Sequence, residues 1–329
     1  MSDNYYGFSE ISGAVDRAKG LLWPFQWGVW LRIALIGLFI GGCGFNIPSG
    51  SFGDVSDTDL SMGISSDLGM DALGLILIIV GVVLLLGIIC MFISSVLQFV
   101  FVDCLMSGRI LLTRTFKERS GKGFRLFLFN IGISLIFLLV IVALALLLFL
   151  PLVGGTPSGD ALVIAAMLPF FFLVLLLMIP LALIALFTND FVVPVMIRDD
   201  CGVLAAWRRV ITLLVSEWKQ AVVYVAARFV LGIVAVILMV IALLIAVLIT
   251  AIPFVIIGVL AMMVFDMMNV MLLLLLIPFG LVVLLEALLI NVPIITFFRY
   301  YSLQVLGKLD AAYVLLSVES VESVDETPV

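Results

Sequence analysis

The stretch AVVYVAARFVLGIVAVILMVIALLIAVLIT, Ala221–Thr250, carries a single charged side chain, Arg228. A bilayer core of about 30 Å needs about 20 apolar residues in an α-helix. This run is longer than that. It is also continuous rather than alternating, which excludes a spanning β-strand with one face to lipid and one to a lumen. Runs of the same kind fall near 29–45, 72–102, 126–150, 161–188 and 271–298. Together they predict an all-α fold, a polytopic transmembrane helical bundle of six spans.

Composition agrees. Of 329 residues 65% are hydrophobic and 12% charged, far from the usual soluble balance. The apolar runs leave no room for a separate soluble domain, so one membrane domain over 1–310 is predicted. The tail 311–329, ending SVESVESVDETPV, is acidic and polar and reads as a disordered cytoplasmic segment.

The net charge of −6 matters less than where the charges sit. The segment 46–71 holds Asp54, Asp57, Asp59, Asp67 and Asp71 and no base, and 151–160 and 251–270 also lack Lys and Arg. All 16 bases then fall on or near one side. The positive-inside rule puts both termini and the loops 103–125 and 189–220 in the cytoplasm of a multi-pass cell-membrane protein. A seventh span would carry Arg299 and Lys308 outside. The stretch 251–270 is therefore predicted as a re-entrant or interfacial excursion on the outer side, broken by Pro253 and carrying Asp266. The first span starts too late for an ordinary signal peptide. IGGC at Ile40–Cys43 resembles a lipoprotein box, but cleavage there would discard the segment before it. Cys43, Cys90, Cys104 and Cys201 are scattered in depth and read as small buried hydrophobes rather than disulfide partners.

One short phrase occurs twice. AVDRAKGLL (Ala14–Leu22) and AWRRVITLL (Ala206–Leu214) share Ala, Arg, Leu and Leu at the same four places. At 100° per residue the later copy puts Trp207, Val210, Ile211, Leu214 and Trp218 on one face. The earlier puts Phe8, Ile11, Val15, Ala18 and Leu22 on one face. Both precede a span and a tryptophan boundary, so 8–22 and 203–218 are predicted as cytoplasmic amphipathic helices at the interface. A second echo, FVDCLM (Phe101–Met106) and FVVPVM (Phe191–Met196), ends a span each time. The echoes fit a helical-hairpin unit used twice, or simply the rules any membrane hairpin obeys.

The segment FVVPVMIRDDCGVLAAWRRVITLLVSEWKQ, Phe191–Gln220, resembles uncharacterised polytopic membrane families, of archaeal flavour. These are related to the membrane domain beside bacterial glycerophosphoryl diester phosphodiesterases. There an aliphatic-Pro segment precedes a Gly-x-x-x-Ala-x-x-Arg interfacial helix and an aromatic entry into the next span. Here Pro194, Gly202, Ala206, Arg209, Leu213 and Trp218 match. The soluble phosphodiesterase domain is absent, so the resemblance implies a membrane module without that activity.

Histidine is absent, which removes the usual Ser-His-Asp and Cys-His systems and most zinc sites. No metal-ligand spacing and no cofactor motif occurs, so no metal, no cofactor and no catalytic residue is predicted. Glu286 lies thirteen residues before Arg299, about 20 Å along a helix. A charge at that depth should be paired, protonated or wet. Arg228 is the best partner available in the sequence. The pair fits either an ion-coupled pathway or a structural clamp. Asp103, Asn130, Asp190 and Asn291, with Gln98 and Asn189, fall near the cytoplasmic halves of spans. They could line a polar pocket or act as interhelical hydrogen-bond glue.

The loop GRILLTRTFKERSGKGFR, Gly108–Arg125, has six bases against Glu118. Anionic headgroups attract such a segment by about 1 kcal/mol per base. Arg17, Arg114, Lys117, Arg119, Lys122, Arg208 and Arg209 are the candidate headgroup contacts. The predicted partners are membrane lipids, anionic headgroups among them, and unidentified proteins; no stacking platform points to nucleic acid. Pro169, Pro180, Pro278 and Pro293 break spans as in transporters or as ordinary kinks. The methionines at 262, 263, 267, 268 and 271 read as packing, and the 46–71 aspartates lack calcium-loop spacing.

These features favour a non-enzymatic membrane protein acting through lipids or as a scaffold. The competing class is a small transporter or channel using Glu286 and Arg228. A lipid-modifying enzyme would need Asp103 and Asp190 side by side.

Overall fold

The computed structural model describes residues 9–42, 70–107, 112–153, 159–264 and 268–315, and every regular element among them is helical. In chain order they are α1 Ile11–Leu22, α2 Trp27–Gly42, α3 Met70–Ser107, α4 Leu112–Val153 and α5 Gly159–Phe187, then a π-helical turn Thr188–Val192. After it come α6 Val193–Arg198, α7 Val203–Ser216, α8 Trp218–Val264, α9 Met268–Leu309 and a 3₁₀ turn Ala311–Tyr313. Among the described residues five stretches are long and apolar enough to cross a membrane: Leu77–Met106, Phe116–Phe149, Met167–Arg198, Trp218–Leu260 and Leu274–Leu309. This is the pattern of a multi-pass membrane protein. The apolar part of α2, Trp27–Ile40, is shorter. The predicted first span 29–45 is helical as far as Gly42, and 43–45 lie outside the described residues.

The helices pair as antiparallel hairpins, α3 with α4 and α8 with α9; α2 bridges α3 and α9, and α4 also meets α5. Among the described residues burial is confined to one end. Val96–Val102 of α3, Leu126 of α4, Phe191–Met196, Tyr224 and Ala227 of α8, and Val292–Leu306 of α9 form the core. Beyond it the helices present apolar side chains outward: Leu77–Ile89 of α3, Met167–Ile179 of α5, Val230–Leu260 of α8 and Leu274–Leu285 of α9. An apolar exterior costs nothing against acyl chains, so close packing concentrates where polar groups must be satisfied.

The structure corrects several expectations. The basic segment 103–125 is not one loop: α3 runs to Ser107 and α4 starts at Leu112, with 108–111 outside the described residues. Two of its bases find partners beyond α4: Arg119 reaches Asp103 of α3, and Lys122 reaches Asp200 and the Met196 carbonyl. The stretch 251–264 is no irregular excursion: α8 continues through Pro253 to Val264. A proline frees one carbonyl, whereas an unwound segment in an apolar medium would strand many backbone groups. At about 1.5 Å per residue, the apolar stretch Trp218–Leu260 is about twice as long as one crossing needs. Asp266, the loop 46–71 and the tail from 316 lie outside the described residues, as do the side chains of the methionine group from 262 to 271.

The repeated phrase places its alanines alike. α1 buries Ala14, Ala18 and Leu22 and packs on α9. α7 buries Val203, Ala206 and Val210 against the π-helical turn and α6. Ala14 and Ala206, which correspond, are both fully enclosed. Of the predicted apolar faces, Ala18, Leu22 and Val210 are buried and Ile11, Trp207 and Leu214 pack against the core, while Val15 is half-buried, Phe8 is outside the described residues, and Ile211 and Trp218 point outward. Docking against protein selects the small residues, because they let the helices approach closely.

The closest such approach is at Gly123 of α4. A Cβ there would lie 2.8 Å from the Cα of Val96 on α3. Gly123→Val is expected to destabilise the α3–α4 hairpin by about 1–3 kcal/mol. Gly232→Val, where a Cβ meets nothing within 4 Å, should be tolerated. Thermal unfolding of the two variants in detergent checks the contrast.

Candidate functional site

The site begins with a proline. In a regular helix the residue at 194 would donate its N–H to the carbonyl of residue 190, but Pro194 has no N–H and its ring crowds that carbonyl. The chain answers by widening: the Val193 N–H reaches back five residues to the Thr188 carbonyl, making the π-helical turn. Such turns recur at functional sites. The Thr188 hydroxyl secures the preceding helix by donating to the Ile184 carbonyl at 2.6 Å. In the echo FVDCLM the matching position is Cys104, and α3 passes through it as ordinary helix.

The turn carries Asp190 into the core, where four elements, α5, α6, α7 and α9, meet around it. Asp190 is 5% exposed. Its Oδ2 accepts a hydrogen bond from the Tyr224 hydroxyl at 2.7 Å and another from Nε of Arg228 at 3.2 Å. The Arg228 guanidinium also lies 3.7 Å from the centre of the Phe298 ring, a cation–π contact. Arg299, 6% exposed, donates to the carbonyl of Asn189 next door and stands 5.9 Å from the Phe101 ring centre. Rings complete the surroundings: Phe187, Phe191, Tyr224, Tyr301 and Phe297 contact one another in series.

Two cavities flank the turn. One, about 420 Å³, is polar and is lined by Ser94, Ser95, Gln98, Asn130, Thr188 and Asn189, among others. The buried Gln98 Oε1 has no hydrogen-bond partner. The other, about 560 Å³, is an apolar groove between α5 and α8 that includes Arg228 and Gly232.

The predicted site residues therefore separate. Gln98, Asn130 and Asn189 do come together in one polar cavity, while Asp190 and Arg228 form the ionic cluster beside it. Arg228 does not pair with Glu286, which corrects the expected midplane pair. Arg228 reaches the level of Phe298, and Glu286 lies twelve residues, about 18 Å, further along α9. Glu286 instead accepts a hydrogen bond from Thr250 of α8, and its Oε2 is buried without a partner. Asn291 lies where α9 meets α2, with its amide nitrogen near Gly37. Asp103 is held by Arg119, whose Nε and Nη2 donate at 2.7 and 3.2 Å. Asp103 and Asp190 thus each have their own guanidinium.

Several presumed headgroup contacts are engaged within the protein. Lys122 pairs with Asp200 and donates to the Met196 carbonyl, and Arg209 pairs with Asp199, which also accepts from the Tyr313 hydroxyl. The Lys122 ammonium beside Asp200 holds that carboxyl below its usual range. Arg17 is half-buried next to Gln304, Lys117 and Arg208 are exposed, and the Arg114 side chain lies outside the described residues. Sequence reasoning missed Tyr224 and Arg299. The available signal was Pro194 four residues after an intramembrane acid.

The fold and this buried ionic centre define a helical-bundle membrane protein. Over residues 5–316 the chain matches a family of unknown function, DUF7544, and it belongs to that family. No curated protein and no solved structure matches it.

Tyr224→Phe should cost about 1.5–3 kcal/mol, as expected for losing a hydrogen bond to a buried charged group. Glu286→Gln should stay within about 0.5 kcal/mol, because an amide keeps the Thr250 contact and removes an unpartnered acidic oxygen. Thermal unfolding in detergent separates the two.

Proposed function

We propose that this protein is a non-enzymatic, multi-pass protein of the cell membrane whose cytoplasmic end associates with anionic lipid. The observation that carries the reading is the second apolar side of α7. While Val203, Ala206 and Val210 face the core, Leu204, Ile211 and Val215 are exposed along one line, at 77%, 49% and 69%, and Trp218, 61% exposed, follows at the start of α8. The spacing of seven and four residues keeps the three side chains of α7 at one angle on the helix. Exposed Arg208 and Lys219 border that line. Such a helix sits with its rings at headgroup depth and its bases toward phosphate. Exposed Trp23 and Trp27 give the entry to α2 the same character.

Orientation follows from the bases. The ion pairs of Arg119, Lys122, Arg209 and Lys308 all belong to the packed end, which also holds α1 and the 3₁₀ turn near the C-terminus. The positive-inside rule makes this the cytoplasmic end. The resemblance of Phe191–Gln220 to a membrane module separable from its phosphodiesterase supports a role without that chemistry.

A transporter or channel is the second reading. It is favoured by the polar cavity with its unpartnered Gln98 Oε1, and it no longer runs through a Glu286–Arg228 pair.

The test uses Trp218 as the only tryptophan, the other four of the five being replaced by Phe. In vesicles, brominated anionic lipid should quench Trp218 more than brominated neutral lipid, and Arg208→Ala with Lys219→Ala should erase the difference. Equal quenching from the outset would overturn anionic selection, and no quenching would remove the α7–α8 junction from the membrane surface.

A further inference from the structure

The ionic cluster is one negative charge short. Asp190 contributes one carboxylate, Arg228 and Arg299 contribute two guanidiniums, and Tyr224 is a neutral donor. Among the described residues neither guanidinium has a second carboxylate within ion-pair distance. Buried charge without a counter-charge is costly, and aromatic rings offset only part of that cost. The surplus positive charge has an outlet at Arg228. The Arg228 side chain is 21% exposed, its Nε is occupied by Asp190, one face is covered by Phe298, and it lines the groove between α5 and α8.

The groove constrains what could supply the missing charge. Its lining residues are Ala182, Leu183, Leu186 and six others that are apolar or glycine, with Arg228 as the single polar side chain. From Arg228 to Ile237 it follows α8 for nine residues, about 14 Å. Phe229, Val236 and Ile237 are 70%, 61% and 53% exposed, so the groove opens sideways onto the apolar surface. An occupant should therefore be a monoanion with one compact charged group and no further polar atoms. A glycerophosphate headgroup carries ester and hydroxyl oxygens that would find no donor here.

We propose that this groove binds the carboxylate of a long-chain fatty acid, with the carboxylate on the free edge of the Arg228 guanidinium and the chain along α8 past Gly232. A guanidinium matches a carboxylate bidentately. Entry is lateral, from the bilayer. The inference rests on the reading of this chain as a membrane protein meeting anionic lipid, and it narrows that lipid to one class at one place.

The test is binding of radiolabelled oleate to the full chain in neutral detergent, with methyl oleate and phosphatidylglycerol as competitors. Oleate should bind saturably, about one per chain. Methyl oleate, lacking the charge, should compete about tenfold or more weakly. Gly232→Phe should abolish binding while leaving the thermal midpoint intact, because open space at Gly232 accepts the ring. Arg228→Lys should retain the charge and weaken binding. Unsaturable binding, equal competition by methyl oleate, stronger competition by phosphatidylglycerol, or full binding by Gly232→Phe would each overturn the proposal. If Trp218 responds to anionic lipid but oleate does not bind, this inference fails and the surface reading stands.

Discussion

The structure depends on a carboxylate placed where few are tolerated. Asp190 lies in the middle of the buried core of the described residues, bonded to Tyr224 and Arg228 of α8 and adjacent to the backbone group that holds Arg299 of α9. An ion pair of this kind is weak evidence for stability, since desolvation consumes much of its attraction. Its consequence is positional. In an apolar medium any hairpin can slide along another at little cost, because acyl chains and leucines are equivalent neighbours. A buried charge pair has one satisfactory register, so it sets how the α8–α9 hairpin meets the end of α5.

The rest of the architecture follows from that anchor. Pro194 widens the helix and turns Asp190 inward, and α6 and α7 then fold back across the turn. α7 is thus apolar on two sides, one docked on protein and one exposed. α1 takes a comparable position against α9, with Ala14 and Ala18 allowing the approach and Glu10 pairing with Lys308 at 3.8 Å. Away from this end the described helices spread apolar surface outward, the Thr250–Glu286 contact apart. The groove and the polar cavity lie at the transition between the two regimes, where packing ends but polar side chains still occur.

The helical bundle was legible in Ala221–Thr250 and its counterparts because length and apolarity alone make a membrane helix. Individual contacts were not. Arg228 and Glu286 look like natural partners in one dimension, as two charges in apolar runs. Their depths along antiparallel helices differ by several turns, and only pairing of the helices reveals it. The apolar faces of α1 and α7 read as interface faces in the sequence, but Ala18, Leu22 and Val210 dock on protein while Ile211 and Trp218 stay exposed. Hydrophobicity ranks Ile211 and Trp218 above Ala206, whereas helix contact prefers the smaller side chain. Pro194 after Asp190 was readable as a disturbance, but not that the disturbance would enclose two arginines. The repeat of Ala14 and Ala206 turns out to mark docking positions on different partners.

A double-mutant cycle between Asp190 and Arg228 tests the anchor most directly. Asp190→Asn, Arg228→Gln and the double variant would be compared by unfolding of the purified protein in detergent. If the pair sets the register, each single change strands a buried partner and the double change restores part of the loss. The coupling energy should then be at least about 1.5 kcal/mol. Effects that add within about 0.5 kcal/mol would show that the two residues act independently, and would contradict the account.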